Sequence, residues 1–163
     1  MSGLFHCLPR PRLIALIASA ALFTACGSKA DRLESGLKKG AEFVALADWD
    51  KANLEVRNVL QIDPKNSHAY LLAGQVAEGK REIQRAFASY TKAVELDPAN
   101  SAAKLGIAKM YLLAGETDKA DKASAELLAA DSTNVIARTL QAAVIARRGD
   151  IAHLSVFALA PQP

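Results

Sequence analysis

Asp63-Pro64-Lys65-Asn66 returns as Asp97-Pro98-Ala99-Asn100 and, in weakened form, as Asp131-Ser132-Thr133-Asn134, each time at the same step along the chain. That step also aligns Ala52 with Ala86 and Ala120, Leu60 with Val94 and Leu128, and Ala69 with Ala103 and Ala137. A step of about 34 residues, holding several columns in one register, falls within the range of about 20 to 50 that marks a protein built of stacked repeats. Proline disfavours helical geometry in the residue before it and offers no amide hydrogen, so Asp63-Pro64 predicts the end of one helix. Asn66 or Ser67 is placed to cap the next.

Between these punctuation marks the apolar residues recur at helical spacing. Leu33, Leu37, Ala41 and Val44 form one stripe, and Trp49, Ala52, Val56, Val59 and Leu60 form a second; Asp48 in the break is placed to cap the second helix. The next unit predicts helices over residues 67–78 and 83–96. A third follows with the same spacing, and a fourth begins at Asn134 and turns at Gly149, one step after Gly115. The chain is 51% hydrophobic with 6% aromatics, and its alanine and leucine content favours helix over sheet.

Counted from Ser67, the residues Tyr70, Gly74, Ala86, Tyr90, Ala93 and Pro98 stand at the signature places of a helix-turn-helix unit, and the unit resembles a tetratricopeptide repeat (TPR). Ala108, Tyr111, Gly115, Ala120 and Leu127 extend the resemblance. Lys104, Ser124 and Ser132 depart from it, so the third repeat has drifted. The resemblance implies an all-α fold, a right-handed α-solenoid of helix-turn-helix TPR pairs, with repeats at about 33–66, 67–100 and 101–134 and a partial unit at 135–160. It also implies that Gly74 and Ala108 face Ala86 and Ala120 within a pair, and that Trp49, Tyr70, Tyr90 and Tyr111 fill the wedges between helices.

The beginning of the chain has a different character. Arg10 and Arg12 precede an apolar run from Leu13 to Ala25, the pattern of a signal peptide, and about 13 residues are too few to span a bilayer comfortably. Leu22-Phe23-Thr24-Ala25-Cys26-Gly27-Ser28 resembles a bacterial lipobox, with phenylalanine where leucine is usual. That resemblance implies cleavage before Cys26 and lipidation of its thiol. Residues 1–25 are then a lipoprotein signal peptide, 26–32 a lipidated polar tether, and 33–160 the solenoid. Gly27 after the lipidated cysteine, rather than aspartate, implies the outer membrane, on its periplasmic side, in a Gram-negative envelope. Cys7, the other cysteine, falls in the discarded peptide.

Charge gives no pull toward nucleic acid. The net +3 includes Arg10 and Arg12, and without them 18 basic residues face 17 acidic ones. The sequence holds no nucleophile-base, P-loop or paired metal-ligand motif, and His68 and His153 stand apart. No catalytic residue, metal, cofactor, nucleic acid or small-molecule substrate is therefore expected. What remains is surface. First helices line the concave side in this family, where extended peptides or partner helices bind, and the expected groove residues are Leu37, Ala41, His68, Leu71, Gln75, Leu105, Lys109 and Leu112. Lys109 lacks the asparagine partners of a carboxylate clamp, so an apolar segment of a protein partner is the expected ligand.

The stretch from Gly36 through Ala52 to Glu78 also resembles the first repeats of longer TPR lipoproteins of PEP-CTERM and exopolysaccharide systems. The functional expectation is a non-enzymatic, membrane-anchored scaffold for periplasmic proteins. The alternatives are a truncated remnant of a longer array and an assembly lipoprotein for pili or outer-membrane barrels. The apolar tail at 158–163 bears on the remnant reading.

Overall fold

The structure, a computed structural model, describes residues 28–149. Among these, seven helices follow one another: α1 (Lys29–Ala45), α2 (Trp49–Ile62), α3 (Ser67–Gly79), α4 (Ile83–Leu96), α5 (Ser101–Leu113), α6 (Thr117–Ala130) and α7 (Val135–Arg148). They form three antiparallel pairs, and α7 is the first helix of a fourth unit. The second helix expected from Ile151, the tail, Cys26 and the signal peptide lie outside the described residues.

Each repeated Asp-Pro-x-Asn loop works through local hydrogen bonds. Asn66, Asn100 and Asn134 are the N-caps, their side chains accepting from the amides of Ala69, Ala103 and Ala137. Within each loop the aspartate accepts from the amide two residues on, Asp63 from Lys65, Asp97 from Ala99 and Asp131 from Thr133. Where proline is lost, the Thr133 hydroxyl adds a bond to Asp131 at 2.6 Å and, with the Thr133 amide, holds the Asp131 carboxyl below its ordinary pKa. Ser67 is not a cap. Its hydroxyl donates to the Ala93 carbonyl and accepts from the Asn100 side chain, joining successive repeats.

Asp48 caps α2 as expected, accepting from the Lys51 amide, and the Lys51 ammonium keeps the Asp48 carboxyl below its usual range. Asp50, two residues on, instead reaches Lys80 of the next unit at 2.6 Å.

The residues expected to form a tether are partly helical. Ser28 and Asp31 make a reciprocal capping box, so α1 starts at Lys29 and the solenoid begins there instead of at Leu33. A serine followed three residues later by an acid is enough to satisfy two of the orphan amides of a first turn.

The small-residue columns form the contacts within and between pairs: Ala52, Ala86, Ala120, Ala69, Ala103 and Ala137 are all fully buried. A Cβ built on Gly74 would sit 2.5 Å from the Tyr90 ring, and one on Gly106 2.6 Å from the same ring. The two glycines thus enclose the ring of Tyr90, which is 2% exposed at the centre of a core cluster with Ala77, Ala86, Ala93, Ala103 and Met110. Trp49, Tyr70 and Tyr111 are half-buried. The Trp49 indole lies against Gly79, and Tyr111 meets Phe87 edge-to-face at 5.2 Å.

The turn inside each unit has a recurring signature of its own. Ala47, Arg81, Gly115 and Gly149, each one repeat after the last, all have positive φ, between 55° and 80°. That conformation costs a residue with a Cβ roughly 1 to 2 kcal/mol, partly balanced by the larger freedom of glycine in the unfolded chain. Arg81→Gly is therefore expected to raise stability by about 0.5 to 1 kcal/mol, read as a higher urea midpoint at unchanged slope. A lower midpoint would show that the Arg81 side chain contributes more than the turn costs.

Candidate functional site: the inner face of the first helices

The curvature of the stack follows from which helices meet. Successive first helices, α1 with α3, α3 with α5 and α5 with α7, approach one another, while among the described residues no two second helices bring their Cα atoms within 8 Å. The first helices thus form the tighter, inner layer, and the second helices splay outward.

Of the residues expected on the inner face, Leu37, Leu71, Gln75, Leu105, Lys109 and Leu112 are half-buried and Ala41 and His68 exposed. Leu37, Leu71 and Leu105 stand at one place in three successive repeats, and Leu71 packs against the core cluster, so this leucine serves folding as well as surface. Among the described residues no group of three histidine, cysteine or acidic side chains is gathered to hold a metal.

Lys109 is not a free cation. Its ammonium is ion-paired with Glu78, whose other oxygen accepts the Tyr90 hydroxyl at 2.6 Å. The Lys109 ammonium is thus linked through Glu78 to the core tyrosine. Burial, reinforced by the Glu78 carboxylate, pushes the Tyr90 phenol far above its ordinary pKa. Arg147, in the last turn of α7, donates to the Leu112 carbonyl at 2.7 Å and so joins the fourth unit to the third.

Two inner-face residues escaped the sequence reading. Leu113 is 56% and Ile136 59% exposed. The repeat register would have found both, since Leu113 falls one repeat after Gly79 and Ile136 two repeats after His68. Drift hid them, because the earlier repeats carry glycine and histidine at those places.

Antiparallel helix pairs at a constant step, capped by asparagine and stacked with an inner layer of first helices, define a tetratricopeptide solenoid. The chain belongs to the family described as the cytochrome c-type biogenesis protein H TPR domain, whose profile it matches over residues 32–155. It is 32% identical over 96 residues to the small glutamine-rich tetratricopeptide repeat-containing protein 2 of Mycosarcoma maydis, covering 58% of this chain and 27% of that protein. The chain spans about a quarter of the length of the curated relatives it matches. Among solved structures, the TPR domain of Arabidopsis OM64 is similar with a TM-score of 0.67 at 18% identity, over 72% of this chain and 97% of that one. The second TPR domain of human RPAP3, solved in complex with an HSP70 peptide, gives 0.64 at 16%, over 72% and 98%. These likenesses establish the fold.

Proposed function

We propose that this protein is a lipid-anchored scaffold of the Gram-negative envelope, held by Cys26 on the periplasmic side of the outer membrane, whose inner face receives an apolar segment of a partner polypeptide and which catalyses no reaction itself. The observation that carries the reading is the exposure of Leu113 and Ile136 on first helices, together with a Lys109 already ion-paired with Glu78. An apolar ligand buries those side chains at about 25 cal/mol per Å², whereas an acidic one would have to displace Glu78. The peptide complex of the human neighbour supports the use of this fold for a peptide ligand. The family's description favours cytochrome c biogenesis as the process; the resemblance of residues 36–78 to exopolysaccharide-linked lipoproteins favours PEP-CTERM-type export.

The test is crosslinking in cells followed by affinity purification and mass spectrometry, comparing the parent with Leu113→Glu/Ile136→Glu. These exposed positions are better chosen than Leu71, whose substitution would disturb the core. A partner captured by the parent is expected to be lost from the variant at unchanged melting temperature. Retention of every partner would remove the inner face from consideration. In the same cells Cys26→Ala is expected to leave the membrane fraction, and sedimentation with membranes after a salt wash would refute the anchor.

A further inference from the structure

The outer side of the stack carries a feature of another kind. Because α4 and α6 splay apart over α5, a cleft of about 680 Å³ opens between them. Its apolar lining comes from Val94 of α4, Ile107 and Tyr111 of α5, and Ala123 and Leu127 of α6. Its lysines are Lys104, Lys119 and Lys122, set against one carboxylate, Glu126. Lys119 pairs with Glu116 and stands 5.6 Å over the Tyr111 ring. Lys104 and Lys122 are exposed, and among the described residues neither has an ion-pair partner.

The cleft has a definite origin in the sequence. One repeat earlier, the place of Lys104 is held by Tyr70, which packs on the core cluster; in the drifted third repeat an exposed lysine takes that place in the chain. The result is an apolar trough with cations beside it, of a volume within the range of small-ligand sites.

We propose that this cleft binds a single-chain amphiphile with an anionic head, a carboxylate or a phosphate, the alkyl chain lying along Ile107, Tyr111 and Leu127 and the head meeting Lys104 and Lys122. An alkyl chain suits the trough better than a peptide strand. The walls are helices whose backbone groups are already paired internally, so an inserted strand would leave its own amides and carbonyls unpartnered, while a methylene chain has none to satisfy. A partner helix satisfies its own backbone but, at about 10 Å across, rests on such a trough without filling it. The lysines select the head by charge, since a cationic head would meet like charges.

The experiment uses the full chain in phosphatidylcholine vesicles, irradiated with a diazirine-bearing laurate, with adducts mapped by peptide mass spectrometry. Adducts are expected on peptides from α5 and α6, suppressed by excess laurate or dodecyl phosphate and not by dodecyltrimethylammonium. Whether laurate or dodecyl phosphate competes better identifies the head. Lys104→Tyr, which copies Tyr70 into the cleft, is expected to cut the yield about tenfold at an unchanged or higher melting temperature, through loss of the space that buries the chain. Lys122→Glu, at an exposed position, is expected to weaken anionic competition roughly fivefold and leave folding intact. Labelling spread evenly over the chain, equal competition by the cationic amphiphile, or full labelling of both variants would overturn the assignment. Labelling confined to the inner face would overturn it too, assigning the apolar ligand to the other surface.

Discussion

Tyr90→Ala is expected to lower the unfolding free energy by about 3 to 5 kcal/mol, a large part of the roughly 5 to 15 kcal/mol typical of a native domain. The ring is 2% exposed and lies between Gly74 and Gly106, each so close that a Cβ could not be added without a shift. Glycines have no side chains with which to fill the space a lost ring leaves, so the cavity persists. Tyr90→Phe separates ring from hydroxyl. It removes only the bond to Glu78, at a cost of about 1 kcal/mol.

The same variant isolates an alkaline effect. Burial, then Glu78, raises the Tyr90 phenol in the folded state, so the neutral form stabilises the fold fully below the unfolded value of about 10, and stability falls as pH rises above it. The decline in urea midpoint above about pH 10 is expected to be shallower in Tyr90→Phe. A Tyr90→Ala variant within about 1 kcal/mol of the parent would mean that the core closes over the gap, contrary to the geometry.

Gly106→Ala is expected to destabilise the protein by about 1 to 3 kcal/mol, although the same change inside an ordinary helix stabilises by about 1. The new methyl would fall 2.6 Å from the Tyr90 ring, and a ring held on its other side by the Gly74 backbone cannot step away. In a Tyr90→Ala background the obstacle is gone, and Gly106→Ala is expected to become stabilising. This reversal of sign, measured by urea denaturation of the four proteins of the cycle, is the decisive outcome. Additive effects would show that Gly106 acts through helix propensity alone.

Much of the fold is legible in the sequence because its determinants are local. Asp63-Pro64 and Asn66 end one helix and cap the next through bonds to near neighbours in the chain, and the constant step repeats the instruction. Helix bounds follow to within a residue, as at Ser67–Gly79 and Ile83–Leu96. The start of α1 is local too. Ser28 and Asp31 form a readable capping box, but it is set among residues whose polar composition reads as a tether.

The candidate site is less legible, since a residue's repeat position gives its face and not its partners. Lys109 occupies an expected inner-face place, but only the stacking of α3 beside α5 brings it to Glu78, in the preceding repeat, and cancels its charge. The positive φ at Ala47 and Arg81 is hidden because neither residue type advertises it; Gly115 and Gly149 do, at the same place in their repeats.

The sequence by itself determined the helices, their pairing and the repeat family, since period, caps and small-residue columns act within one unit or between neighbours. Tertiary structure alone decided that Tyr90 would be enclosed by glycines from α3 and α5, that Leu113 and Ile136 would stay exposed, and that a cleft would open where Lys104 replaces an aromatic. Each of these depends on how far one unit turns relative to the next, which is set by side chains from three helices packing together and not by any one stretch of chain.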